Sequence, residues 1–411
     1  MAACALLLGG ACHGTLAGDW PQILGPTRSG RADGEKLAEA FPSGEPRIAW
    51  KQKVGGGYAG PVVMGNQVIL FHRLDDQERV ECWQAETGKP LWSADFPATY
   101  RGGIDADLGP RCVPLVKDER VYVYGAGGDL HCVTLATGKK LWSRALLADY
   151  TADEGYFGAG STPIHIGGRL LVNVGGKKGA GLVALDPANG QTVWQATNEI
   201  ASYSSPTAAE IDGRPWAVFV TRMNVVAVDP AQGTAKILFP FGKRGPTVNA
   251  ATPLVFNKQL FVSASYNVGA ALCRLDAKGA KQIWANDETL SSQYATAVEH
   301  AGYLYGTHGR EDVGGAEFRC VEAATGKVLW SRPEIGVAHV ILAGDKLLLW
   351  TIKGQLILAA ANPREYQELA AAQISSALTR ALPALSGGRF FFRTNQGGSG
   401  ELSCVPLVEK R

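Results

Sequence analysis

The sequence predicts an all-β fold: an eight-bladed β-propeller of four-stranded antiparallel blades, closed by the N-terminal strand around Trp50. Three observations carry that prediction. A short segment ending in tryptophan recurs as ETGKPLW (86–92), ATGKKLW (136–142), ANGQTVW (188–194) and ATGKVLW (324–330). With Trp50 and Trp284 these tryptophans fall about 40–50 residues apart, or twice that where a copy has decayed, which is the period of propeller blades. The two ends of the chain also complement each other. RIAWKQKV (47–54) is a strand with no hairpin before it, and the last repeat, 386–407, stops one strand short. Pairing the two would close the ring and leave no exposed edge.

Composition agrees with one large β domain. The 411 residues are 46% apolar and 19% charged, with 51 glycines, the profile of a glycine-rich globular chain. No apolar run approaches the length of a membrane helix, so no membrane-spanning segment is expected. A net charge of +2 offers no general attraction to nucleic acid, which needs basic residues gathered on one face.

Residues 1–18 are expected to be a signal segment. MAACALLLGGACHGTLAGDW has an apolar core from Ala2 to Ala11 and small residues at Ala17 and Gly18, although no Lys or Arg precedes Arg28. Export to the periplasm or cell envelope follows. A lipid anchor at Cys12 is the lesser alternative, since Gly9 stands where such sites have leucine. Residues 19–45 read as an irregular N-terminal segment and 46–411 as a single propeller.

Within a repeat, Gly60-Pro61-Val62-Val63, a turn at Gly65-Asn66 and Gln67 to Phe71 give two strands joined by a tight hairpin. Val80 to Ala85 and Pro90 to Trp92 are the third and fourth, joined at Thr87-Gly88. Equivalent pairs open at Val113, Ser161, Ser205, Thr252, Ala295 and Val340. Fourth strands are placed near Trp92, Trp142, Trp194, Phe239, Trp284, Trp330, Leu369 and, by closure, Trp50. The Gly-Lys of the repeat is a hairpin turn and not a phosphate loop, because no Ser or Thr follows the lysine and no second glycine stands ahead. Glycine takes positive φ there. The tryptophan is expected between neighbouring sheets, where burying the ring stabilises the stack by roughly a few kcal/mol. Blade four has Phe239 or Ile237 in its place. Blade seven, ANPREYQELA (361–370), lacks both turn glycine and tryptophan. Those two junctions are expected to be the softest.

Of eight cysteines, Cys82, Cys132, Cys273 and Cys320 stand six residues before a turn glycine, where other repeats have Ala184 and Ala227, and Cys404 matches them in the last blade. The position calls for a small buried side chain. Equivalent sites on facing sheets lie about 10 Å apart, too far for a disulfide. Cys4 and Cys12 belong to the leader, and Cys112 has no assignment.

Catalytic patterns are missing. The seven histidines form no H-E-x-x-H pair. Asp105-Ala106-Asp107 lacks the third ligand, glycine and glutamate of a calcium loop. VGGKKGAG (174–181) joins two strands and opens no helix, unlike a phosphate cradle, and no G-x-S-x-G elbow occurs.

ALDPANGQTVW (184–194), with its copies at Cys82–Trp92, Cys132–Trp142 and Cys320–Trp330, resembles the tryptophan-docking motif of propellers similar to pyrroloquinoline quinone (PQQ) dehydrogenases. GDWPQ (18–22) and LGP (24–26) are similar to the start of exported PQQ-like repeat proteins. The resemblance implies an eight-bladed ring of the BamB-like, non-catalytic branch. In the enzymes it implies PQQ over a calcium held by carboxylate and amide, a vicinal cysteine pair and a catalytic aspartate. Here no two cysteines are adjacent, and the blades use nearly the whole chain. No bound PQQ or calcium and no catalytic residue are therefore expected. The chain reads as a monomeric, exported scaffold that binds a protein partner or a polar small ligand. The alternative is a PQQ-dependent dehydrogenase-like enzyme with a diverged cofactor site.

The candidate binding surface is the mouth of the ring, where each link from an outer strand to the next inner strand crosses. Residues just ahead of the inner strands are Tyr58, Arg111, Phe157, Tyr203, Asn249 and Gln293, with Tyr156 and Tyr294 alongside. Turns between second and third strands add cations, among them Arg73, Arg222, Arg310 and Arg393, and acids such as Asp75, Asp129, Glu311 and Asp312. Tyr, Arg and Asn together suit contact with a protein or a polar ligand.

Overall fold

The computed structural model describes residues 18–41 and 46–408. Their strands form eight four-stranded antiparallel sheets, joined by links that include one short helix, Leu146–Asp149. Blade one comprises Val62–Met64, Gln67–Leu74, Gln77–Gln84 and Pro90–Pro97, ordered from the axis outward. Six further blades repeat it, with inner strands Leu115–Lys117, Ile164–Ile166, Thr207–Ile211, Leu254–Phe256, Val298–His300 and Ala338–Ala343. The eighth takes Ala384–Ser386, Arg389–Arg393 and Ser399–Pro406 from the C-terminal end and Trp50–Gly55 from the N-terminal end. Trp50 lies opposite Cys404 and Gly55 opposite Ser399. The ring is thus closed as the sequence predicts. The signal segment and Cys4 and Cys12 lie outside the described residues.

Burial explains the strand chemistry. The middle strands are covered on both faces by neighbouring sheets, so they read as continuous apolar runs: Val68 to Phe71, Val121 to Tyr124 and Phe390 to Phe392 are all buried. Outer strands meet solvent and are mixed; Pro90–Pro97 is largely exposed apart from Phe96.

Five of the six repeated tryptophans join blades by two contacts; Trp330, whose next blade lacks the turn glycine, makes the first and packs on Tyr366. The indole N–H of Trp50, Trp92, Trp142, Trp194, Trp284 and Trp330 donates to a carbonyl of the next blade, respectively Ala85, Leu135, Pro187, Pro230, Ala323 and Asn362, at 2.7 to 3.1 Å. Except in Trp330, the ring also lies on the turn glycine of that blade. A Cβ on Gly88, Gly138, Gly190, Gly233 or Gly326 would come within 2.3 to 3.0 Å of it. These glycines have φ between 68° and 74°. Glycine is therefore demanded twice, by the backbone and by the indole.

The decayed repeats are compensated differently. Phe239 pairs with Val225 beside the strand bulge, the register other blades give to tryptophan, whereas Ile237 is 56% exposed. The lost indole bond is replaced by Lys236, whose Nζ donates to the carbonyl of Lys278 at 2.6 Å. Beside blade seven, Trp350 packs on Phe390 and Phe392 with centroids 5.3 and 4.5 Å away, so that junction has an aromatic core of its own.

All six described cysteines are free and buried. Cys82, Cys132, Cys320 and Cys404 sit opposite Trp92, Trp142, Trp330 and Trp50. Cys273 departs from the expected register. It faces Gln282, and Leu272 faces Trp284, because the bulge in that blade falls one residue earlier.

The irregular N-terminal segment is an integral part of the ring. Trp20 exchanges backbone bonds with Val63, Pro21 accepts from Val116, and residues Gly30 and Ala32 bond Leu342. Asp19 accepts from Gly65 N–H, and Glu35 accepts from Gly387 and Gly388 N–H. These are hairpin turns between first and second strands, so the segment covers the face opposite the mouth. Arg28, 2% exposed, reaches further, donating to the carbonyls of Pro206 at 2.8 Å and of Thr162 and Pro163. Those carbonyls open the inner strands of blades three and four.

Candidate functional site at the propeller mouth

The mouth divides into two groups of side chains. The first joins blades one, two, six, seven and eight. Tyr58, ahead of the first inner strand, donates its hydroxyl to Asp105 Oδ2 at 3.0 Å. Arg380, in the link from blade seven to eight, donates to Tyr58 Oη at 3.4 Å and forks onto Glu311, with contacts of 2.7 to 3.1 Å. Tyr294 Oη donates to Glu311 Oε2 at 2.7 Å. Gln293 accepts from Glu311 N–H at 3.0 Å and donates to Tyr266 Oη at 3.1 Å. A continuous polar chain therefore runs from Asp105 through Tyr58, Arg380 and Glu311 to Tyr294. Burial, with Asp105 adding to it, pushes the Tyr58 hydroxyl up to about 12, and the hydrogen bonds it donates to Glu311 hold the Arg380 guanidinium above its ordinary value. Neither group changes charge near neutrality.

Arg111 folds back on its own link. It donates to the carbonyls of Asp107 and Gly109, and its guanidinium stands 5.5 Å from the Tyr58 ring and 5.4 Å from the Tyr100 ring. Asp107 is buried beneath it. Burial alone would raise its carboxyl, but donors from Asn395, Gly109 and Gly57 outweigh that and hold it below the usual carboxylate range.

The second group is aromatic. Tyr156 and Phe157 meet at 6.4 Å and Phe157 and Tyr203 at 5.5 Å between centroids, with Tyr203 Oη accepting from Phe157 N–H at 2.8 Å. The exposed Ile104 is tied to this ridge, its N–H donating to the Tyr156 carbonyl at 3.2 Å.

Three sequence-predicted mouth residues are turned inward. Asn249, 1% exposed, spends its amide on the carbonyl of Thr221 at 2.8 Å. Arg73 is buried and bonds the carbonyls of Asp75 and Tyr100, both at 2.7 Å. Arg393, fully buried, donates to Gly55 O at 2.7 Å. Arg73 and Arg393 lie at the mouth ends of their second strands and Asn249 in a link, and all three side chains are spent on backbone carbonyls. Conversely Asp105, Tyr100, Tyr266, Arg380 and Ile104 were not named as mouth residues. Asp105 reads in the sequence only as part of an incomplete calcium loop and Glu311 as a rim charge, and Arg380 sits in a link with no repeated motif to mark it.

Chemically the mouth holds its shape and offers contact. His131 and His339 are driven down to about 4, mainly by burial, and His72 is lowered by the same cause, so these three are neutral at pH 7. Among the described residues no three His, Cys, Asp or Glu side chains gather as a metal cluster, and no helix is long and apolar enough to cross a membrane. No vicinal cysteines exist, and both Asp107 oxygens are taken by backbone and amide donors.

The family model described as outer membrane protein assembly factor BamB matches residues 31–123 and 76–332. The outer membrane protein assembly factor BamB of Burkholderia pseudomallei (strain K96243) is 23% identical over 308 residues, covering 70% of this chain and 74% of the relative. BamB from Moraxella catarrhalis superposes with a TM-score of 0.63 at 14% identity, over 89% of this chain and 99% of that one. The quinohemoprotein alcohol dehydrogenase from Comamonas testosteroni gives 0.70 at 13% identity, over 97% and 82%. At such identities the structural likeness speaks for the fold alone.

Proposed function

The chain belongs to the outer membrane protein assembly factor BamB family, and from that premise we propose that it is an exported, non-catalytic scaffold that docks an envelope protein on its mouth. The observation that carries this reading is where apolar surface is left open. Among the described residues the three most exposed large aliphatic side chains are Ile104 at 69%, Val313 at 68% and Ile200 at 61%. All three lie on mouth loops: the link from blade one to two, the second turn of blade six and the link from blade three to four. Exposed apolar groups beside aromatic rings and rimmed by Arg and acidic pairs are the make-up of a protein-binding patch. Replacing Ile104 and Ile200 together with Asp is expected to abolish co-purification of the envelope partner while leaving Tm within about 2 °C, as surface changes do. Undiminished co-purification would move the interface elsewhere.

The second reading is a PQQ-dependent dehydrogenase with a diverged site, whose fold, though not its chemistry, the quinohemoprotein superposition supports. It requires a quinone and calcium to be held by side chains that are otherwise engaged. Incubating the purified chain with PQQ and calcium is expected to leave no quinone absorbance after desalting and no dye-linked alcohol oxidation. Either signal would reverse the ranking of the two readings.

A further inference from the structure

A cleft of about 80 Å³ opens between blades two and three, beside the aromatic ridge. Its floor is formed by Tyr124 and Asn173, the last residues of the second strands of those adjacent blades. Both are deeply buried, at 1% and 3% exposure. The Tyr124 hydroxyl and both Oδ1 and Nδ2 of Asn173 have no hydrogen-bond partner in the protein. Leaving such groups unpaired is destabilising, and few native side chains are left so. The rest of the cleft has a definite character. Asp153 and Glu154 stand on its rim, Tyr203 forms a wall, and no Lys or Arg lines it. The Tyr203 ring packs against Gly160, where a Cβ would come within 2.4 Å of it.

From this we infer that the cleft is a binding site for a neutral polyhydroxy ligand the size of one sugar ring. Each element of the lining narrows the choice. Asn173 presents a donor and an acceptor side by side, which two neighbouring hydroxyls satisfy together, one accepting from Nδ2 and the other donating to Oδ1. Tyr124 can give or take one further bond. The rim carboxylates only accept, so they call for additional donors, which a sugar's several hydroxyls supply. With acids at the rim and no cation to balance a charge, a carboxylate, phosphate or quinone anion is disfavoured. The volume has room for roughly half a dozen waters, about the bulk of a single ring. The cleft adjoins the protein-docking surface, with Ile200 on its lining, and the sugar test reads it in the absence of any partner.

The test uses the full chain with D-glucose, D-galactose and D-gluconate, read by calorimetry and thermal shift. At least one of the two neutral sugars is expected to bind saturably with Kd of about 1 mM or below, and gluconate at least tenfold more weakly. Asn173→Leu should weaken sugar binding at least tenfold with Tm unchanged or raised, because it removes two unpartnered polar atoms from the interior. Tyr124→Phe should weaken it by a smaller factor. Four results would each overturn the inference: no saturation by either sugar at about 50 mM, gluconate binding as tightly, binding that ignores Asn173→Leu, or a Tm loss of several degrees in that variant. The last would mean that Asn173 serves the fold through ordered water.

Discussion

Glu78 sits in the third strand of blade one with its side chain 1% exposed, its Oε1 accepting the backbone N–H of Ala126 in blade two at 3.1 Å. Burial raises its carboxyl to about 7, against the opposing pull of that N–H. The folded chain therefore holds this proton more tightly than the unfolded chain does. Its stabilising contribution is complete below the unfolded value near 4.5 and is lost as pH rises through about 7. Glu78→Gln keeps the acceptor and removes the titration, so at pH 8 it is expected to be about 2–3 kcal/mol more stable than the parent, with little difference at pH 4. Parallel stability curves from pH 4 to 8 would contradict the assignment. At this scale the sequence was legible where a residue repeats. Cys82, Cys132, Cys320 and Cys404 could be assigned from their register with tryptophan. Cys273 stands at the same distance from its glycine, and its shifted register is marked only by the spacing from Gly279 to Trp284, which is one residue longer than from Gly88 to Trp92. Asn249 shows the limit in another way: its place ahead of an inner strand was readable, and the inward turn of its amide toward Thr221 depends on loops that no local pattern announces.

The blade is defined at its hairpin turns. A turn glycine at φ near 70° is costly to replace anywhere, but only some of these glycines also carry a neighbour's indole. Gly138 (φ 68°) would place a Cβ 2.3 Å from Trp92, whereas Gly65 (φ 56°) would meet nothing within 4 Å. Gly65→Ala is expected to cost about 1 kcal/mol, the backbone contribution alone. Gly138→Ala adds displacement of the ring and its bond to Leu135, for a total of about 3 kcal/mol in urea unfolding. Equal losses would show that the indole contact contributes nothing. The same logic separates the two decayed repeats. Both were expected to be soft because the motif is damaged in each. In the structure, blade four leans on a lysine bond and a half-buried phenylalanine, while blade seven is backed by Trp350 and the phenylalanines of blade eight. The compensation at blade seven lies on middle strands, outside the motif that marks a repeat, and so was not readable from it.

The closed ring was legible because each end of the chain lacks what the other supplies, and the pairing of Trp50–Gly55 with Ser399–Pro406 completes the eighth blade. The N-terminal cover was not. Its contacts with Val63, Val116, Leu342 and the turn at Gly387 are each made once, with a different blade, and leave no periodicity to detect. Covering one face leaves the other as the accessible end of the axis, with Ile104, Ile200 and Val313 at its rim. Placing a photo-crosslinking side chain at each of these three positions, and at Leu141 on an outer strand, tests the account most directly in intact cells. Adducts with an envelope protein are predicted from the mouth positions and none from Leu141. Adducts from Leu141 with none from the mouth would contradict it.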